Sequence, residues 1–367
     1  MQKIKSGDIS VVVQGPNVKR HTAKCLKSLR KNFPGAEIIF STYENENVSG
    51  LDFDVLVTSV DPKATLLSGN MYNNINRILT TTKAGLEKVS RKYCLKIRSD
   101  MFFDNDKILF DIGAKFPHRE QEYKVFKQRV LFYSLWSRKF EYLDNKYYLQ
   151  TPFYLSDWMC FGLTEDIKAY FTDIPLTQEP QYTHFFKNVK NRKQKIFDPN
   201  VTWRFSPEQY FATTFFGKFF VKAHMNSSQD IKPEQMDFSR RVLASNVVVC
   251  GYEECGSYIQ KKQYRFVSKS INILRNNWLN GVYRYSDFLF DYKKYCDSRL
   301  DIPFYYIWMQ NRQVEYFIEK IDKHLKSFLT PILTLCKWME NLFSVCWYFV
   351  KLFYITAKIY IKFLKQK

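Results

Sequence analysis

Arg98 and Asp100 close a short apolar run, residues 93–97 (YCLKI), and three more polar clusters stand at the ends of three more such runs. Gln14-Gly15-Pro16 follows residues 9–13 (ISVVV), Ser41-Thr42-Tyr43 ends residues 37–41 (EIIFS), and Asp61-Pro62 follows residues 54–59 (DVLVTS). An arginine forks onto phosphate oxygens, and an asparagine amide bridges ribose or phosphate. Asn74 and Arg77, in Asn73-Asn74-Ile75-Asn76-Arg77, therefore join Arg98 as candidate anion contacts, although a polar helix face explains the same spacing. Gly15 allows the backbone to approach a ligand closely, and Pro16 stiffens the loop. Lys96 and Arg98 alternate with Leu95 and Ile97; basic groups on a central strand are costly to bury alone, so they belong near its end, paired or facing phosphate.

Two carboxylates further along could take a proton. Asp157 lies beside Trp158 and Cys160-Phe161-Gly162, and Glu208 follows Pro207 at an apparent helix start, where an acid also complements the helix dipole. His184 is a weaker base candidate, and Asp104 a weaker site acid.

The elements that would position these groups are legible. Residues 9–13 are mostly β-branched, the pattern of a strand buried on both faces. Residues 22–32 (TAKCLKSLRKN) predict an amphipathic helix with Cys25, Leu26 and Leu29 inward, ended by Pro34-Gly35. Strands follow over 37–41 and 54–59, then a helix within 70–90 with Ile75, Leu79, Leu86 and Val89 near one face, then a strand over 93–97. The order β-α-β-β-α-β predicts an α/β fold with a mainly parallel sheet flanked by helices. Ligands on such sheets bind at the carboxyl ends of the strands, where all four polar clusters stand. The glycine patterns GxGxxG and GxxxxGK[ST] are absent, so dinucleotide enzymes and P-loop NTPases lose ground.

The chain has 367 residues, 46% hydrophobic, enough for a full core and too much for disorder. Its length suggests two domains, or one with an appendage. Lys+Arg 56 against Asp+Glu 36 gives +20, which calls for an anionic partner. The eight cysteines include no CxxC pair and there are five histidines, which argues against a zinc site and for free thiols. MQKIKSGDIS lacks an apolar h-region, so no secretory signal is expected.

QGP, STY, DP, NNINR and KIRSDM in succession resemble the WavE lipopolysaccharide-synthesis family, as do Ser156-Asp157-Trp158 with Gly162 and Pro207-Glu208-Gln209-Tyr210. The resemblance covers residues 8–251. It implies a GT-A-like (Rossmann-like) glycosyltransferase, moving a sugar from a nucleotide-sugar donor to a lipopolysaccharide, capsule or related surface glycan. Gln14, Gly15, Pro16, Thr42, Asn74, Arg77, Lys96, Arg98 and Asp100 would then bind the donor. Asp157 or Glu208 would be the base. GT-A enzymes hold Mg²⁺ or Mn²⁺ on a DxD motif here; Arg98 replaces its first acid, so Asp100 would either bind the metal alone or hydrogen-bond the donor sugar.

The expected layout is residues 1–251 for the transferase, with a donor half at 1–105 and an acceptor half at 106–251. A helical, aromatic-rich extension at 252–329 and a basic amphipathic helix at 330–367 follow. From 257 to the end there are 19 Lys/Arg against 8 Asp/Glu. From Lys337 to Lys365 the charged positions fall within one stripe of about 80° on a helical wheel, opposite Leu, Ile, Phe, Trp and Tyr. That pattern predicts a helix lying on an anionic membrane, or one docked on the protein's own core. Its longest uncharged run, 341–350, is too short to span a bilayer. The expected location is cytoplasmic, peripheral on the inner face of a bacterial inner membrane, with a glycan or lipid-linked acceptor. The rivals are a basic nucleic-acid-binding protein, suggested by charge alone, and a non-catalytic scaffold on the membrane.

Overall fold

A computed structural model describes residues 3–66, 72–109, 112–143, 147–177, 204–227, 232–259, 281–304 and 306–307. The chain divides into two compact units, Met1–Asp301 and Ile302–Lys367. The fold below is that of the first. The amphipathic segment at 330–367, most of the extension's linking stretch and His184 lie outside the described residues.

The sheet starts with β1 (Ile9–Gln14), every residue of which is buried, as its β-branched run predicts. β2 (Glu37–Tyr43) pairs parallel with it, and β3 (Val55–Ser59) pairs parallel with β2. β4 (Tyr93–Arg98) pairs parallel with the other side of β1. Beyond a short β5 (Met101–Phe103), β6 (Val130–Tyr133) is followed by the hairpin β7 (Arg138–Leu143) and β8 (Tyr147–Tyr154). β9 (Met159–Leu163) then runs antiparallel between β4 and β6, and β10 (Val247–Cys250) closes the far edge parallel to β6. The order across the seven strands is β10-β6-β9-β4-β1-β2-β3. This is the mainly parallel α/β sheet expected.

The helices that matter to the site are α1 (Arg20–Asn32), α2 (Ile75–Glu87), α3 (Thr164–Phe171) and α4 (Pro207–Gly217). α5 (Pro233–Asn246) and α6 (Tyr285–Tyr295) pack on each other and on β10. α1 buries Cys25, Leu26 and Leu29, the predicted stripe, together with Thr22. α2 occupies Ile75–Glu87, inside the 70–90 window expected for it. Tyr72–Asn73 pairs in a two-residue ladder with Thr65–Leu66, and the Asn73 side chain accepts the Ile75 N–H at 2.9 Å in a turn that leads from the ladder into the helix. At its other end Gly85 sits where a Cβ would come 2.5 Å from Val12 Cγ1 and 3.0 Å from Ser41 Cβ. Only glycine lets α2 lie this close to β1 and β2.

Among the described residues, no helix is long and apolar enough to cross a membrane.

Candidate functional site

The parallel pairing of β2, β1 and β4 brings their carboxyl ends side by side: Gln14 stands opposite Ser41 on one strand and Arg98 on the other. The loop leaving β1 is pinned between them. Gly15 N–H donates to Ser41 O at 3.0 Å, Ser99 N–H to Gln14 O at 3.0 Å, and Ser99 Oγ to Pro16 O at 2.7 Å. Gly15 has φ +116°, a conformation that a side chain disfavours. These contacts shape a cavity of about 210 Å³.

Of the residues singled out from sequence, Gln14, Gly15, Pro16, Asn74, Arg77, Arg98, Asp100 and Asp157 line this cavity together. The Gln14 side-chain oxygen is buried and accepts no hydrogen bond from the described residues. A buried acceptor without a donor costs free energy until a ligand or water supplies one.

Two arginines enter the cavity by the same construction. Arg98 forks onto Asp100, Nε to Oδ1 at 3.0 Å and Nη2 to Oδ2 at 2.9 Å, with its guanidinium 4.3 Å from the Trp158 ring centre. Arg77 forks onto Asp61, at 2.8 and 2.9 Å, with its guanidinium 4.7 Å from the Tyr43 ring centre. A carboxylate and an aromatic face hold each planar cation in place. Asp61, Tyr43 and Trp158 were thus missed as supports. Their sequence signal was modest: Asp-Pro at one strand end, a tyrosine at another, a tryptophan beside the candidate base.

Thr42 and Lys96 do not line the cavity. Thr42 is fully buried in β2, and Lys96 is fully buried in β4. Lys96 reaches sideways instead, and its Nζ donates to the main-chain carbonyl of Asp157 across the β4–β9 junction. Burial holds its ammonium below the ordinary lysine range. The strand alternation places Lys96 on the same side as Arg98 but one residue pair deeper, which is why it meets the protein and not the cavity.

Glu208 also lies outside the lining. It is in the first turn of α4, where Ser206 caps the helix by accepting the Gln209 N–H at 3.3 Å. Burial, and then the negative charge of Asp157, push the Glu208 carboxyl up to about 8. The two candidate bases are therefore neighbours, with Asp157 facing the cavity and Glu208 behind it. Asp104 accepts from the Tyr252 hydroxyl at 2.8 Å and is not part of the cavity.

A second cavity of about 390 Å³ adjoins α4 and is lined by Arg204, Phe205, Tyr210, Thr213 and His224, among others. Its Thr177 rim is tied to α2, because Asn76 donates to Thr177 O at 2.9 Å and accepts the Thr177 N–H at 2.8 Å. One helix, α2, thus lines the first cavity through Arg77, with its N-cap Asn74, and is hydrogen-bonded through Asn76 to the rim of the second.

A divalent cation does not fit Asp100 as it stands. Both carboxylate oxygens accept from Arg98, whose guanidinium occupies the position of positive charge. Among the described residues there is no cluster of three His, Cys, Asp or Glu side chains able to hold a metal.

Compared with known proteins, the chain matches the WavE lipopolysaccharide synthesis family over residues 9–316. The match runs past residue 251, where the resemblance in the motifs ends. No curated protein matches. Among solved structures, the chain is similar to 4-diphosphocytidyl-2C-methyl-D-erythritol synthase from Anaerococcus prevotii DSM 20548, at 12% identity and a TM-score of 0.29. That likeness covers 47% of this chain and 81% of the other.

Proposed function

The chain belongs to the WavE lipopolysaccharide synthesis family, and from that premise we propose that it is a glycosyltransferase using a nucleotide-sugar donor. The observation that carries this reading is the meeting of Gln14, Arg77, Arg98, Asp100 and Asp157 in one cavity at the carboxyl ends of parallel strands. Two oriented arginines suit a diphosphate. A buried amide acceptor suits the N–H of a base or the hydroxyl of a ribose. A carboxylate at the cavity wall suits the removal of a proton from an attacking hydroxyl.

In this reading the donor diphosphate lies against Arg77 and Arg98. The acceptor hydroxyl oxygen attacks the anomeric carbon, the bond from that carbon to the phosphate oxygen breaks, and nucleoside diphosphate leaves. Asp157 takes the hydroxyl proton, because it faces the cavity while Glu208 does not. Glu208 sets the charge behind it, and Lys96 fixes the Asp157 main chain. The larger cavity beside α4 is the acceptor side, its Phe205 and Tyr210 offering faces on which a sugar ring stacks. The first cavity is smaller than the roughly 300–1,000 Å³ of whole small-molecule sites, so we assign it to the diphosphate and ribose.

A panel of nucleotide-sugars assayed for hydrolysis and for transfer to lipopolysaccharide precursors tests the reading. At least one donor should be turned over, and Asp100→Ala should abolish that turnover while thermal melting still shows a folded protein. Full activity in Asp100→Ala, or no turnover of any donor, would overturn it.

A further inference from the structure

We infer that the Arg98 guanidinium replaces the divalent cation at the donor diphosphate, with Arg77 as the second cationic contact, so that nucleotide binding is independent of metal. This rests on the donor-site reading above and says how that site neutralises its ligand.

A metal on a carboxylate needs open lone pairs on hard oxygens. Asp100 offers neither oxygen, since Arg98 takes both at 3.0 and 2.9 Å. The pair is fixed from several sides. Asp100 is 2% exposed in its side chain and Arg98 27%, so the carboxylate lies behind and the guanidinium in front. The Arg98 main-chain N–H donates to Trp158 O at 3.1 Å, and the Trp158 ring lies against the guanidinium. Moving Arg98 aside to admit a metal would break this fork and uncover a nearly buried carboxylate, a cost of the kind paid for any broken ion pair of low exposure.

Arg77 repeats the arrangement from α2, with Asp61 forked onto it and Tyr43 against its face. A diphosphate carries charge on oxygens of two phosphorus atoms. Two planar cations held apart on different elements, β4 and α2, meet that distribution without an ion between them. The surrounding charged groups are Asp61 and Asp100 behind the arginines, Asp157 on the wall, and Lys96 buried one layer deeper. The carboxylates orient the guanidiniums, which present the positive charge to the cavity.

The test is calorimetric binding of UDP, GDP, ADP and CDP to the full chain, in EDTA and again in excess Mn²⁺ or Mg²⁺. The expected result is that one of them binds with the same Kd, within about twofold, in both conditions. Arg98→Ala should weaken that binding in EDTA by about tenfold or more, the loss expected for charge-assisted hydrogen bonds to phosphate. Arg98→Asp places a second acid two residues before Asp100, and its binding should return only with Mn²⁺. Binding to the unaltered protein only when metal is present overturns the inference and leaves the donor site standing. Binding of none of the four in either condition removes the donor site itself, and the inference with it.

Discussion

Lys96 donates its ammonium to the main-chain carbonyl of Asp157, tying the middle of β4 to the turn that carries the candidate base. A fully buried lysine is costly unless it is hydrogen-bonded, and here that bond fixes the approach of Asp157 to the cavity wall. Replacing it with an apolar side chain of similar reach removes the cost and the tether together. Lys96→Met should therefore fold with a melting temperature near that of the parent, lose turnover by about tenfold or more, and keep its affinity for nucleoside diphosphate. A parallel loss of nucleotide affinity would return Lys96 to the donor site.

Asp157 and Glu208 are separated by the same logic. Asp157→Asn should keep nucleotide binding and lose turnover by roughly 10²–10⁴-fold, the range of general-base catalysis. Glu208→Gln should lose far less, since that residue lies behind the wall. Steady-state rates for the two variants, compared at saturating donor, decide between them; equal losses would mean that the pair acts as one unit.

Glu208 also makes stability depend on pH. Its carboxyl titrates at about 8 in the folded protein against the ordinary 4.5, because burial and Asp157 disfavour its charge. Between those values the folded chain binds a proton that the unfolded chain does not, so its contribution to stability is greatest at the acid end and declines as pH rises through the window. The slope from one such group approaches about 1.4 kcal/mol per pH unit. Denaturant unfolding of the parent and of Glu208→Gln at a series of pH values should show this slope in the parent and its absence in the variant.

Gly85 tests the fold independently of the site. A Cβ there would come 2.5 Å from Val12 Cγ1, within the layer between α2 and β1. Gly85→Ala should destabilise by about 1–3 kcal/mol despite alanine's better helix propensity. A rise in melting temperature would show that α2 sits further from the sheet than described.

The lysine stripe of residues 330–367 gives a prediction from sequence alone. The full chain should sediment with anionic vesicles, more weakly as salt shortens the Debye length below about 8 Å, though not to zero because aromatic insertion does not screen. Truncation after Thr330 should abolish sedimentation and leave nucleotide binding intact. Vesicle binding unchanged by the truncation would exclude the segment as the anchor.

The sequence by itself determined the sheet and its site end. β-branched runs such as residues 9–13 can be satisfied only in a doubly covered strand, and polar clusters at their ends have nowhere to go but the carboxyl edge. It also marked Arg77, Arg98, Asp100 and Asp157, because local order carries each to a strand end or helix start. What only the tertiary structure decided is which polar groups face one another. Lys96 and Arg98 are two residues apart on one strand, yet one is spent on the Asp157 main chain and the other opens on the cavity. Asp61 is sixteen residues from Arg77 and supports it through a fork that no short pattern encodes. Asp157 and Glu208 look equivalent as isolated carboxylates, and the tertiary packing leaves Asp157 on the cavity wall and Glu208 off its lining, buried within reach of the Asp157 charge. Strand and helix periods are local properties of the chain, whereas burial depth and charge partners arise when distant segments meet.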